Sequence, residues 1–297
     1  MSMLATALGV GFLPQAVGAP FEVPPLSKPA SAALHVGKLA WLDLETTDLQ
    51  QAKSFYRSLF GWDFRDYHAD GVDYTVALLN GQPIAGMVRR RVVMNDSERP
   101  SAWLPFFSVA NVNASSDQAL KAHAQVRSLP EDLPLRGRQA RFVDPDGAVF
   151  ALLTSSSGDP ADDPNPRALG TWGWPCLLAR DPAQEAVFYQ QLMNYTVLAS
   201  PAAQGFEHIA LNSGQYERAD VRALPAGVAA LRPEWIGFVR VFSSADTAKL
   251  AVKLGGHVLV ARTREARGGI SSILADPSGA AFGILELPPE VVGIEGR

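Results

Sequence analysis

Cysteine is nearly missing from this chain: Cys176 is the single one in 297 residues. One thiol excludes an intrachain disulfide and any zinc site built on cysteine. Histidine is sparse too. The five histidines, His35, His68, His123, His208 and His257, form no H-x-H or H-x-x-x-H pair, the spacings that bring two imidazoles to one metal ion. Charged residues make up 19% of the chain, the net charge is −4, and no long basic run occurs. Nucleic acid therefore has no electrostatic footprint and is excluded as a partner. The apolar stretch Met3–Leu13 is too short to span a bilayer, and Pro14 ends it. The small residues up to Ala19 suit a signal peptidase, although a basic segment in front is lacking and Pro20 follows. A periplasmic or secreted protein is the expectation, with the cytoplasm as the alternative if residues 1–37 are only an arm.

A sizeable core is still available, because 47% of the residues are hydrophobic and the length suits two ordinary domains. The chain is organised around Leu39–Trp62. In Ala40–Glu45, period two places Trp41, Asp43 and Glu45 on one face of a strand and Leu42 and Leu44 on the other. Asp48 stands at an N-cap position with Gln51 three residues on. Ala52, Phe55, Tyr56 and Leu59 follow as one helical stripe, and Gly61 closes the helix.

The pattern returns further on. Asp48 and Asp181, and Phe55 and Phe188, stand 133 residues apart; Trp103 and Trp235, and the turns Asp144-Pro-Asp-Gly147 and Asp276-Pro-Ser-Gly279, stand 132 apart. Landmarks at nearly one offset and in one order mark an internal duplication. Each half divides again into two units of strand, helix and three strands. Asn80-Gly81 supplies a hairpin turn in the first unit, and helices are expected at Asp48–Leu59, Ser115–Gln125, Asp181–Met193 and Ala245–Leu254. The proline-interrupted stretch Arg127–Arg138 takes no element. The expected domains are 38–154 and 170–287, joined by a linker at 155–169 that carries three prolines. The tail 288–297 ends in Ile294-Glu-Gly-Arg297, which looks like a vector scar.

Trp41-Leu-Asp-Leu-Glu-Thr-Thr-Asp48, Phe55-Tyr56, Phe60-Gly-Trp62, Tyr74–Leu79, Gly81-Gln-Pro-Ile-Ala-Gly86 and Asp144-Pro-Asp-Gly147 resemble the vicinal oxygen chelate superfamily of glyoxalase I, bleomycin-resistance proteins and extradiol dioxygenases. Within it they look most like the two-domain branch of a mycobacterial antigen and of hydroxylase-named proteins from antibiotic clusters. The resemblance implies an α+β protein with two tandem domains, each of two βαβββ units forming a curved, cavity-enclosing sheet. It also implies positions for metal ligands. The first-strand slots fall on Trp41 and Trp174, the matching slots of the second and fourth units near Leu104 and Ile236, and the last-strand slots on Ala151 and Gly283. None of these side chains coordinates a divalent metal, so the expectation is no metal and no cofactor.

The candidate residues follow from the same alternation. Asp43, on the Trp41 face, is the candidate acid–base residue, because apolar walls would raise its pKa; Glu45 shares that face. Trp41, Trp103, Trp174 and Trp235 are candidate walls for a flat ligand, against a plain core role for each. Arg240 alternates with Phe238 and Ile236 and is a candidate anion contact, against a salt bridge on the outer face. Cys176 stands where Asp43 stands in the first half, and a buried core thiol is its plainer role. Glu207, His208 and Glu286 remain as an unconventional ligand set. The expected function is metal-independent binding of a small, flat, largely apolar molecule by a monomer or homodimer. The alternative is a metal-independent lyase or isomerase that uses Asp43; a metal-dependent glyoxalase or dioxygenase would need unusual ligands.

Overall fold

The structure, a computed structural model, describes residues 23–69, 72–90, 101–162, 168–203, 206–265 and 268–288. The apolar stretch Met3–Ala19 and the terminal Ile294–Arg297 lie outside them. The first half contains β1 (Leu39–Thr46), α1 (Leu49–Phe60), β2 (Asp63–Ala69), β3 (Val72–Leu79), β4 (Gln82–Arg89), β5 (Ala102–Ser108), α2 (Val112–Lys121), β6 (Gln125–Leu133), β7 (Gly137–Val143) and β8 (Val149–Ser155). The second contains β9 (Trp172–Ala179), α3 (Pro182–Met193), β10 (Thr196–Ala203), β11 (Phe206–Ser213), β12 (Tyr216–Ala223), β13 (Glu234–Arg240), α4 (Ser244–Lys253), β14 (His257–Arg264), β15 (Ile270–Ala275) and β16 (Ala281–Glu286). Among the described residues no helix is long and apolar enough to cross a membrane.

Two open eight-stranded sheets result, in the orders β2-β3-β4-β1-β5-β8-β7-β6 and β10-β11-β12-β9-β13-β16-β15-β14. In each, two βαβββ units meet through antiparallel first strands, β1 with β5 and β9 with β13. The expected α+β class, four units and tandem arrangement are present. The stretch left without an element holds β6, an edge strand whose pattern is broken by Pro130 and by the exposed Glu131 and Asp132.

The helices begin and end where the capping residues stand. Asp48 accepts from the amides of Gln50 and Gln51, and Gly61 takes the left-handed conformation (φ 74°) that ends α1. Asp181 accepts from Gln184 N with Pro182 at the first helical position. The helix sides of the two sheets face each other, and α1 contacts α4 while α2 contacts α3. One core cluster joins the first and fourth units through Leu42, Leu44, Phe55, Tyr56, Trp62 and Phe282, with Trp103 of β5 among them. Its counterpart joins the second and third through Phe107, Phe142, Phe150 and Tyr189, with Trp235 of β13 among them.

Polar chains cross both halves of this seam. Trp103 Nε1 donates to Tyr56 Oη (2.9 Å), which donates to Asp276 Oδ2 (3.2 Å). Trp235 Nε1 donates to Tyr189 Oη (2.9 Å), which donates to Asp144 Oδ2 (2.9 Å). The other carboxylate oxygen of each Asp closes its own turn, accepting from Gly147 and Ala148 amides in one case and Ser278 and Ala280 amides in the other. Trp103, Trp235, Asp144 and Asp276, which help to reveal the duplication in the sequence, thus fasten one half to the other.

Candidate functional site

The helix-free face of the first sheet carries Trp41, Tyr74, Val76, Leu104, Phe106, Ala151 and Leu153 as one apolar cluster. Asp43 lies among them with 5% of its surface exposed. Its Oδ1 accepts from Trp41 Nε1 (2.8 Å) and from Tyr74 Oη (2.7 Å). Three strands cooperate in this. Trp41 and Asp43 are two apart on β1, Tyr74 comes from β3, and between them Asp43 is paired with Gly86 of β4. A Cβ at Gly86 would overlap both Asp43 Oδ1 and Tyr74 Oη, so the glycine makes room for the hydrogen bond. Burial and the Asp43 charge push the Tyr74 phenol well above its ordinary pKa, which keeps it a donor. Glu45 pairs with Arg141 at 3.1 Å at the edge of this face.

Arg136 completes the group, and the sequence patterns miss it. It sits in the turn between β6 and β7, flanked by Leu135 (φ 64°) and Gly137 (φ 120°), both in the left-handed half of backbone space. Its Cζ lies 4.3 Å from the centre of the Trp41 ring, and Nη2 reaches Tyr74 Oη at 3.4 Å. Inward aim here depends on turn geometry, which leaves no periodic signal.

Residues of the N-terminal arm cover this face. Val23 and Leu26 are buried in the same apolar cluster. The arm is laced to the segment after β8: Ser27 N donates to Ser157 Oγ (3.1 Å), Ser31 N to Ser157 O (2.8 Å), and His35 N to Asp159 Oδ2 (2.7 Å). Asp162 gathers Lys38 (2.9 Å) and, from the second domain, Arg218 (2.5 Å), and these cations hold its carboxyl well below the usual carboxylate range.

The second sheet's helix-free face differs. Cys176 is buried, as its plainer role requires, and burial with the neighbouring Asp220 raises its pKa well above the ordinary thiol value. Strand pairing sets Asp220 beside Cys176, just as Gly86 sits beside Asp43. The carboxylate has moved from the first strand of the unit to its last. Arg222 bridges Asp220 (2.6 Å) and Glu265 (2.9 Å). Trp174 stacks on Phe238 at 6.0 Å, and the loop residue Leu231 is buried against the same cluster. Asp220, Arg222 and Glu265 thus give the second face charged groups of its own.

Of the remaining candidates, Trp41 and Trp174 lie on helix-free faces. Trp103 and Trp235 do not. Register pairs Asp43 with Leu104 and Cys176 with Ile236, so Trp103 and Trp235 turn to the opposite side, where both indoles are bound in the seam. They are core residues rather than ligand walls. Arg240 is half-buried at the end of β13, on the strand face of Phe238.

The metal positions can be tested against this geometry. On the four central strands of the first sheet the helix-free face presents Trp41, Asp43, Gly86, Leu104, Phe106 and Ala151; its buried carboxylate, Asp43, already accepts two hydrogen bonds, and Glu45 at the edge is paired with Arg141. In the second sheet the carboxylate beside the slots is bound to Arg222. Among the described residues no three His, Cys, Asp or Glu side chains converge as a metal site requires. The residues described on these two faces do not fit a metal.

The family model of the Glyoxalase/Bleomycin resistance protein/Dioxygenase superfamily matches residues 38–152. CFP32 of Mycobacterium tuberculosis, a protein named provisionally as a glyoxylase, is 28% identical over 264 residues, covering 88% of this chain and 99% of its own. The first domain carries that superfamily's pattern. The chain is also 28% identical to the anthracycline biosynthesis protein DnrV of Streptomyces peucetius, covering 84% of this chain and 94% of that one. Among solved structures, the Mn(II)-bound glyoxalase of Novosphingobium aromaticivorans shares the fold at a TM-score of 0.56 and 14% identity, over 88% of this chain and 92% of that one. The 2,2',3-trihydroxybiphenyl 1,2-dioxygenase of Sphingomonas wittichii does so at 0.57 and 17%, over 84% and 90%. At these identities the likeness is one of fold.

Proposed function

We propose that the helix-free face of the first domain binds a small, flat, largely apolar molecule without a metal, with Asp43 as the polar anchor. The position of Asp43 carries this proposal: a buried carboxylate set among Trp41, Tyr74, Leu104 and Phe106. Its two hydrogen bonds both fall on Oδ1, so Oδ2 serves a ligand's donor. A hydrogen bond to a charged group contributes about 1.5–3 kcal/mol, and the apolar walls supply the rest. Val23 and Leu26 lie over the apolar part of the face, and a ligand enters by displacing them.

One detail favours a second role for the same residues, that of a metal-independent lyase or isomerase. A carboxylate and a protonated phenol 2.7 Å apart are the base and the donor that proton abstraction beside a carbonyl uses.

The test is fluorescence titration of the full chain with N-phenyl-1-naphthylamine, a neutral aromatic amine. Saturable binding at one site is expected, unchanged after chelator treatment. It should weaken ~10–100-fold in Asp43→Asn, the loss of one charge-assisted hydrogen bond, and more in Trp41→Ala. No saturable binding, or binding that needs a stoichiometric metal, would remove the proposal.

A further inference from the structure

Arg136 is 3% exposed, and from its surroundings we infer that the first domain selects planar molecules bearing an anionic group, such as a carboxylate, over neutral molecules of the same shape. This inference rests on the small-molecule role proposed above for the same face. A guanidinium withdrawn from water requires an anion and full hydrogen bonding. Among the described residues Arg136 has neither. No carboxylate lies within ion-pair distance, Nε has no hydrogen-bond partner, and the 3.4 Å contact with Tyr74 Oη is at the outer limit of a hydrogen bond.

Nε of Arg141 and of Arg218 is likewise without a hydrogen-bond partner, but these guanidinium groups, like that of Arg222, have a carboxylate among the described residues. Arg141 meets Glu45 at 3.1 Å, Arg218 meets Asp162 at 2.5 Å, and Arg222 meets Asp220 and Glu265. The contrast with Arg222 is the informative one. It stands on the helix-free face of the second domain and is neutralised there by two carboxylates of its own chain. In the first domain the pairing partner of Asp43 is Gly86 where the second domain has Asp220 beside Cys176, so no such carboxylate stands there. Asp43 does not replace it: among the described residues no ion pair joins it to Arg136, which reaches it only through Tyr74 Oη.

Arg136 is also held in place by its turn. Its amide donates to Leu133 O (3.2 Å) and its carbonyl accepts from Ser156 N (3.1 Å), and Leu135 takes a left-handed conformation that few non-glycine residues adopt. A fixed guanidinium fork lying on an indole plane is suited to a flat oxyanion. The second domain, whose cation is already paired, lacks this preference.

Two probes with one ring skeleton test the inference: 8-anilinonaphthalene-1-sulfonate, and N-phenyl-1-naphthylamine, which lacks the sulfonate. Titrated into the full chain at low salt, the sulfonate should bind at least ten-fold more tightly. Arg136→Gln should abolish that preference and leave the neutral probe within about two-fold, and Arg136→Lys should retain part of it. Equal affinities in the wild-type chain, or a preference that survives Arg136→Gln, overturn the inference. If the neutral probe binds but the sulfonate gains nothing, the binding role stands and anion selection falls; if neither probe binds, both fall. Should Arg136→Gln fail to fold, the wild-type ratio and Arg136→Lys still decide, because neither depends on that variant.

Discussion

Glu185 sits in the seam between the domains with 1% of its surface exposed, hydrogen-bonded to Asp144. Burial, then the Asp144 charge, push Glu185 up to about 8, while burial raises Asp144 as well. Asp146 and Asp181 add to the negative field; Arg180 pairs with Asp146 at 2.8 Å, and Tyr189 donates to Asp144. At neutral pH the pair therefore keeps a proton. In the unfolded chain Glu185 titrates near its ordinary 4.5. A folded pKa above the unfolded one gives a folded state that binds the extra proton, so stability falls as pH rises from about 4.5 to about 8 and is level above that. At ~1.4 kcal/mol per pH unit the ceiling is roughly 5 kcal/mol; relaxation of the seam brings the expected effect to ~2–4 kcal/mol. Glu185→Gln removes the titration and keeps a donor for Asp144. In urea denaturation at pH 5, 6.5, 8 and 9 the variant should start near the wild type and gain steadily to ~2–4 kcal/mol at pH 8. A difference that does not change with pH, or a wild type more stable than the variant at pH 9, would refute the shared proton.

Tyr56→Phe leaves Trp103 Nε1 and Asp276 Oδ2 without their buried partner and should cost ~2–4 kcal/mol in denaturant unfolding; Trp103→Phe in the same background should add much less than it does alone, because the two act in one chain. Gly86→Ala places a methyl group on Asp43 Oδ1 and Tyr74 Oη; a loss of ~1–3 kcal/mol by thermal melting, with probe binding abolished, is expected. Asp162→Ala frees Lys38 and Arg218 together and should cost ~1–3 kcal/mol at pH 7. Because the Asp162 pKa is depressed in the fold, its stabilisation is present above the ordinary carboxylate pKa and is lost as pH falls below it, so variant and wild type should converge in acid.

The duplication was legible because its markers do interdomain work. Trp103 and Trp235, Tyr56 and Tyr189, and Asp144 and Asp276 form one pair of hydrogen-bond chains, and large aromatic and turn residues stand out in a sequence. The faces of Leu42, Leu44 and Asp43 were legible from strand alternation. The faces of Trp103 and Trp235 were not, because β5 and β13 carry apolar residues on both sides and only the register with β1 and β9 decides which side meets the helices. The strand β6 lacks alternation, as an exposed edge permits. Arg136 and the Asp220–Arg222–Glu265 group depend on turns and cross-strand neighbours, which spacing along one chain does not encode. Likewise, the covering of the first face by Val23 and Leu26 is a tertiary contact of an arm without periodicity.

The most direct test of the central claim is a crystal structure of the full chain grown with 8-anilinonaphthalene-1-sulfonate. Density for the probe is predicted on the helix-free face of the first domain, its ring over the cluster of Trp41, Leu104 and Phe106, its sulfonate at Arg136, and Val23 and Leu26 displaced. Density for the probe only elsewhere on the molecule, or a metal ion bound at Asp43, would contradict it.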